Sequence, residues 1–239
     1  MTISNIRFPG QKAPEPGRTV AEVVKDPVAF VAAMPAELDY EAQNKIKDRE
    51  RQIAYLRDLR LKEYYRICPP LYQDTDPERL DKFRREDVCG WEYGPRGLLL
   101  AGPTGTGKTR CAWLLMRRLI EDGRSVKAFD GLGWGIAVSR AFGEPETAER
   151  WLDGVCSADV LFIDDMFKAR MTEAQEQAAY GVFERRTAQR RPIIVTMNST
   201  AEMILARMTD AGREDRGEPL IRRMREFCEV IAFDKTEAL

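Results

Sequence analysis

The stretch Gly102-Pro103-Thr104-Gly105-Thr106-Gly107-Lys108-Thr109 constrains this chain more than any other. It fits G-x-x-x-x-G-K-[ST], a loop whose backbone amides cradle a polyphosphate. Its flanks fit as well. Gly97-Leu98-Leu99-Leu100-Ala101 is a short apolar run, which predicts a buried strand. Arg110 to Glu121 carries Trp113, Leu114, Met116, Leu119 and Ile120, followed by the stop signal Gly123, which predicts a helix. Strand, glycine turn and helix in that order are what phosphate binding needs. Glycine lets amides turn inward without a Cβ clash, and a helix N-terminus adds positive potential. The predicted ATP-binding set is Gly102, Pro103, Thr104, Gly105, Thr106, Gly107, Lys108, Thr109 and the adjoining Arg110. Lys108 is placed to reach the β- and γ-phosphates, and the Thr109 hydroxyl to bind Mg²⁺.

Composition narrows the chemistry. The 239 residues contain no histidine, which excludes imidazole bases, His-based triads and His-containing zinc sites. Hydrolysis must therefore run on carboxylates, Lys, Arg and a metal. The five cysteines (Cys68, Cys89, Cys111, Cys156, Cys228) are dispersed without a C-x-x-C, which predicts reduced, mostly structural thiols. A net charge of −1 gives no global basicity, so nucleic-acid binding must come from a local patch. Without a signal-peptide or membrane-spanning run, a cytoplasmic location is expected, with no membrane partner.

Residues 1–18, with three prolines and two glycines, are expected to form a disordered tail. Residues 19–67 are expected to form a helical partner-binding region. Thr19-Val20-Ala21-Glu22 and Asp26-Pro27 carry helix-start signals, and Asp39 to Ile67 is the longest helical candidate. Ile46, Ile53, Leu56, Ile67 and the Tyr64/Tyr65 pair mark a narrow apolar stripe on it. Between Glu41 and Arg66 there are eight Lys/Arg and five Asp/Glu, which fits either a solvated helix or one that contacts a partner or DNA. Residues 68–96 are expected to be a linker packed on the next domain, with a short helix from Asp76-Pro77 to about Phe83. From 97 to 239 short apolar strands alternate with helices, which predicts a parallel sheet covered on both faces. The predicted strands after the first are Ser125–Phe129, Val160–Ile163, Pro192–Thr196 and Cys228–Phe233. Helices are expected over Leu132–Phe142, Glu146–Asp153, Thr172 to about Gln189, and Glu218–Glu226.

The strand Val160-Leu161-Phe162-Ile163 delivers Asp164 and Asp165 to the carboxyl end of the sheet, where ligands of open α/β sheets bind. Asp164 fits a Mg²⁺-coordinating carboxylate, and Asp165 a group that orients the attacking water. The bland alternative is a solubilising strand end that caps the next helix. Asn198 and Ser199 either touch the γ-phosphate and the lytic water or form a turn that caps a helix near Thr200. Leu220-Ile221-Arg222-Arg223-Met224-Arg225 is either a solvated basic face or the source of an arginine acting on a neighbouring subunit's phosphoryl group.

In this order, G-P-T-G-T-G-K-T, L-F-I-D-D-M, P-I-I-V-T-M-N and L-I-R-R-M-R-E-F-C-E-V-I-A-F resemble an AAA+ ATPase of the DnaC/IstB type. The segment Ile67-Cys68-Pro69-Pro70-Leu71-Tyr72 resembles the stretch preceding that group's ATPase core, so the likeness covers about residues 65 to 235. The resemblance implies an AAA+ core with a five-stranded parallel sheet in the order 5-1-4-3-2. It implies no C-terminal helical lid and a small helical region in front. It makes Asp164 and Asp165 the Walker B pair, with Thr109 and Asp164 on the metal. The implied catalytic residues are Asp165, Lys108, Asn198 (sensor I) and Arg223 (arginine finger, acting in trans), with Arg222 as the near alternative. Arg140, in the paired helices after the second strand, is a candidate contact to single-stranded DNA. Many AAA+ proteins have Glu at the Asp165 position, and the shorter Asp implies slow turnover. The expected function is an ATP- and Mg²⁺-dependent helicase loader that binds the replicative helicase and single-stranded DNA as a homo-oligomer. The alternatives are an IstB-like transposition helper and a nucleotide-gated binding module with little hydrolysis.

Overall fold

The computed structural model describes residues 40–141, 145–168, 171–198 and 214–233. The expected tail, the start signals at Thr19 and Asp26, and the helix start near Thr200 lie outside these residues. The chain divides into two compact units, Met1–Ala54 and Tyr55–Leu239. Among the described residues no helix is long and apolar enough to cross a membrane.

Helix α1 (Tyr40–Ile67) follows the sequence expectation closely. In the first unit its described side chains are exposed apart from half-buried Ile46. In the second unit the apolar stripe is used unevenly, with Tyr64 1% exposed but Leu56 42%. Charged pairs one turn apart line its surface, Lys62–Asp58 at 2.6 Å and Arg66–Glu63 at 2.6 Å, as on a solvated face.

The segment after Pro69-Pro70 departs from the expected single helix at Asp76–Phe83. It forms helix α2 (Pro70–Gln73), a 3₁₀ turn at Pro77–Arg79 and helix α3 (Lys82–Cys89). The reason is a doubled start signal. The Asp76 carboxylate accepts from the Glu78 N–H at 3.0 Å, and the Asp81 carboxylate accepts from the Arg84 N–H at 2.9 Å. Each Asp opens its own helix, so the chain stops and restarts.

The core alternates as expected: β1 (Gly97–Ala101), α4 (Lys108–Glu121), β2 (Val126–Asp130), α5 (Gly131–Ala141), α6 (Pro145–Ser157) and β3 (Val160–Asp164). It continues with α7 (Glu173–Ala188), β4 (Ile193–Met197), α8 (Glu214–Phe227) and β5 (Cys228–Ala232). The five strands run parallel in the order β2-β3-β4-β1-β5, the order the resemblance implies. Strands β2 and β4 begin one residue later than the apolar runs suggest.

Period-two alternation sorts the strand side chains into two cores. Leu98, Leu100, Val160, Phe162 and Ile194 join Tyr64, Cys68, Val88 and Trp91 and the inner face of α4. Leu99, Leu161, Ile163, Ile193 and Val195 join α5, α6, α7 and α8 on the other side. Trp113 of α4 meets Phe162 edge-on at 5.2 Å between ring centroids. Arg60 of α1 donates to the Glu121 carbonyl at 2.7 Å, satisfying the C-terminal end of α4. α7 starts on a complete capping box, with the Thr172 side chain accepting from Gln175 N–H and the Gln175 side chain accepting from Thr172 N–H.

Arg186 is the least expected core residue. It is fully buried and donates to the carbonyls of Val155, Ala158, Asp159 and Pro192 at 2.8–3.0 Å. It thereby gathers the end of α6 and the entries to β3 and β4. Burial pulls its guanidinium down to about 10, still cationic at neutral pH.

Candidate functional site

The site lies at the carboxyl ends of β1, β3 and β4, where the strands hand the chain to loops. Gly102, with φ +150°, follows β1; a Cβ there would stand 2.0 Å from the Phe233 carbonyl oxygen. Gly105 and Gly107 have φ +88° and +89°, left-handed values that only glycine takes without cost. Gly107 is the N-cap of α4, so the free N–H groups of that helix face the loop. The Thr106 hydroxyl donates to the Pro103 carbonyl at 2.9 Å and closes the turn.

Lys108 is 4% exposed. Its ammonium donates to the Gly102 and Pro103 carbonyls at 2.9 and 2.7 Å. Burial lowers its pKa, against the upward pull of Asp165 and Asp164. Next to it, the Thr109 hydroxyl donates to Asp164 Oδ1 at 2.8 Å. Arg110 reaches to the segment at Leu71–Thr75. It donates to the Leu71 carbonyl at 3.3 Å and Thr75 Oγ1 at 3.1 Å, with its guanidinium carbon 5.6 Å from the Tyr72 ring centroid.

Asp164 ends β3, and Asp165 follows with φ +51°, a left-handed value that Asp tolerates better than most residues. Thr196 of β4, fully buried, holds both. Its hydroxyl donates to Asp164 Oδ1 at 2.5 Å and accepts the Asp165 N–H at 2.8 Å. Burial raises the Asp164 pKa, the two threonine hydroxyls oppose it, and the charges of Asp165 and Asp130 add to it. Asn198 Nδ2 donates to Asp165 Oδ1 at 2.6 Å, and Lys168 Nζ lies 3.5 Å from Asp165 Oδ2.

Thr104 through Arg110, Asp165, Lys168 and Asn198 line one cavity of about 680 Å³, within the range that holds a nucleotide-sized ligand. The phosphate loop and Lys108–Arg110 form one wall, Asp165, Lys168 and Asn198 another, and Leu71, Tyr72, Arg79 and Leu80 the third. Leu80 covers the loop closely; its Cδ2 lies 3.1 Å from where a Gly107 Cβ would sit. The oxygen pair Thr109–Asp164 fits Mg²⁺, a hard cation that takes few protein ligands beside phosphate oxygens.

The structure thus brings together Gly102 through Arg110, Asp164, Asp165 and Asn198. It does not bring Arg223 to this cavity. Arg223 pairs with Glu184 of α7 at 2.6 Å and with Glu226 at 3.2 Å, while Arg222 is exposed. Arg140 sits exposed in the last turn of α5. Sequence reasoning missed Thr196, whose signal was a hydroxyl in an otherwise apolar strand. It also missed the third wall, which is a tertiary arrangement with no local signature.

The fold is similar to that of solved DnaC-type AAA+ structures. A DnaC helicase loader aligns with TM-score 0.54 and 19% identity, covering 69% of this chain and 99% of that one. DnaI aligns with TM-score 0.57 and 17% identity over 70% of this chain and 94% of that one. AMPPCP-bound DnaA from Aquifex aeolicus aligns with TM-score 0.54 and 15% identity, covering 70% of this chain and 51% of that one. In sequence, the chain is 27% identical over 127 residues to the uncharacterized protein YdaV of Escherichia coli (strain K12), covering 50% of this chain and 51% of YdaV. The chain spans about half the length of this curated relative. No family model matches the sequence.

Proposed function

We propose that the chain binds and hydrolyses ATP with Mg²⁺ and serves in the cytoplasm as a loader of a replicative helicase. One observation carries this reading. Lys108, Thr109 and Asp165 line one cavity, with Asp164 hydrogen-bonded to Thr109, in a fold shared with a helicase loader. In it the loop amides and Lys108 hold the phosphates, while Thr109 and Asp164 hold Mg²⁺, which neutralises charge on the phosphates. Asp165 and Asn198 orient the water, and Tyr72 and Leu80 cover the rest of the nucleotide. The region before residue 68 grips the helicase, and ATPase domains side by side hold single-stranded DNA, with Arg140 a contact. Arg223 acts on the neighbouring subunit's site once its pairs with Glu184 and Glu226 open.

The test is ATPase activity of the full chain against protein concentration, with and without single-stranded DNA. Specific activity should rise with both. Full activity in a dilute monomer refutes the trans role of Arg223. Co-purification should return a helicase; a transposase instead would favour an IstB-like helper.

A second reading, a nucleotide-gated module that scarcely turns ATP over, is supported by Asp165 itself. Both of its oxygens face donors, and its reach is one methylene shorter than Glu. Comparing Lys108→Ala with Asp165→Asn separates the two. If Asp165→Asn keeps full function, turnover is dispensable.

A further inference from the structure

We propose that Lys168 reads the terminal phosphate: its ammonium exchanges the Asp165 carboxylate for the γ-phosphate of a bound nucleoside triphosphate, and so frees Asp165 to orient water. This rests on the nucleotide reading above and adds a residue to it that neither the phosphate-loop pattern nor the carboxylate pair contains.

The Asp165 carboxylate meets a donor at each oxygen. Oδ1 accepts from Asn198 Nδ2 at 2.6 Å, and Oδ2 faces Lys168 Nζ at 3.5 Å. A carboxylate that is to orient or accept a proton from water needs an oxygen facing that water. Each oxygen keeps a second lone pair, but the ammonium at Oδ2 competes with that water for its space and for the carboxylate charge. The Asn198 contact is short and partly buried, whereas the Lys168 side chain is 75% exposed. An exposed ion pair at this distance is weak, so Lys168 is the partner that leaves at little cost.

The backbone lets the side chain move alone. The Lys168 N–H donates to the Asp165 carbonyl at 2.9 Å, so both residues belong to one closed turn. From that fixed base the ammonium swings on a flexible four-carbon stem. It already lines the cavity that holds Lys108, Thr109 and Asn198. A triphosphate brings more negative charge into this space than one carboxylate, and an ammonium answers it as a point charge. A diphosphate leaves the far end of the cavity without that charge, and Lys168 stays with Asp165. Occupancy and hydrolytic readiness are thereby coupled through one side chain.

The experiment is calorimetric titration of the full-length chain with Mg·AMPPCP and with Mg·ADP, for the wild type, Lys168→Ala and Lys168→Arg. Loss of one charge-assisted phosphate contact weakens AMPPCP by about tenfold in Lys168→Ala. Mg·ADP affinity should not change, and Lys168→Arg should restore AMPPCP binding. Equal affinities of wild type and Lys168→Ala for AMPPCP overturn the inference. So does an equal loss for both nucleotides, which would mark a structural role. A wild type that binds neither nucleotide overturns the nucleotide reading itself, and this inference with it.

Discussion

Replacing Thr196 by Val keeps the shape of a fully buried side chain and removes one hydroxyl. That hydroxyl donates to Asp164 at 2.5 Å and accepts the Asp165 N–H at 2.8 Å. The first contact is charge-assisted, worth about 1.5–3 kcal/mol in net stability, and an unpaired N–H costs about 1–3 kcal/mol. Both carboxylates are only partly buried, and water replaces part of each loss, so the expected destabilisation is about 2–3 kcal/mol. For a domain of this size that lowers Tm by about 4–12 °C. Thr196→Ser separates the hydroxyl from the methyl. It keeps both hydrogen bonds and loses one buried methyl, at about 1 kcal/mol. The assay is urea unfolding of the three proteins followed by circular dichroism. Thr196→Val within about 0.5 kcal/mol of wild type, or no worse than Thr196→Ser, would show that the hydroxyl does not hold the carboxylate pair.

Three further outcomes follow from the same geometry. Because burial raises the Asp164 pKa, this group's contribution to stability is fully present below its unfolded value and is lost as pH rises through its folded value. Mg²⁺ needs the ionised form and has the opposite sign, so Mg²⁺-dependent nucleotide binding should weaken on acidification before ordinary carboxylates titrate, and Asp164→Asn should abolish that pH dependence in a binding titration. Arg186→Met should cost about 3–5 kcal/mol in chemical unfolding, because it strands at least four buried carbonyls. Gly102→Ala should destabilise by several kcal/mol, about 3 or more, since its Cβ would meet the Phe233 carbonyl at 2.0 Å; a Tm within 2 °C of wild type, roughly 1 kcal/mol, would refute this close approach.

Local signals carried most of what was legible in the sequence. The phosphate loop, the strand that delivers Asp164 and Asp165, and the Thr172/Gln175 capping box are each read within a few residues, and each forms where the pattern puts it. The sheet order came from the resemblance, since nothing in strand periodicity orders five parallel strands. Arg186 shows where local reading fails. In the last turn of α7, beside Arg185, it looks like a solvated charge that complements the helix dipole. Yet Ala179, Val182 and Phe183 are buried, and a residue three or four positions further on shares their face. The spacing held the signal; the carbonyls that make burial tolerable come from residues 155–159, about thirty positions back, and from Pro192 beyond the helix end. The cavity wall at Leu71–Leu80 is illegible for the same reason, because two proline-started turns say nothing of what they cover.

The way α1 and α3 enter the core bears on where this protein can be cut. Tyr64, Cys68, Val88 and Trp91 fill one side of the sheet, and Arg60 satisfies the tail of α4. A fragment beginning at Gly97 would keep the phosphate loop, the carboxylate pair and Asn198 and still expose that side, leaving the loop-bearing helix with a bare flank. A piece that keeps this packing therefore starts inside the long first helix, near Tyr55, well ahead of the phosphate loop.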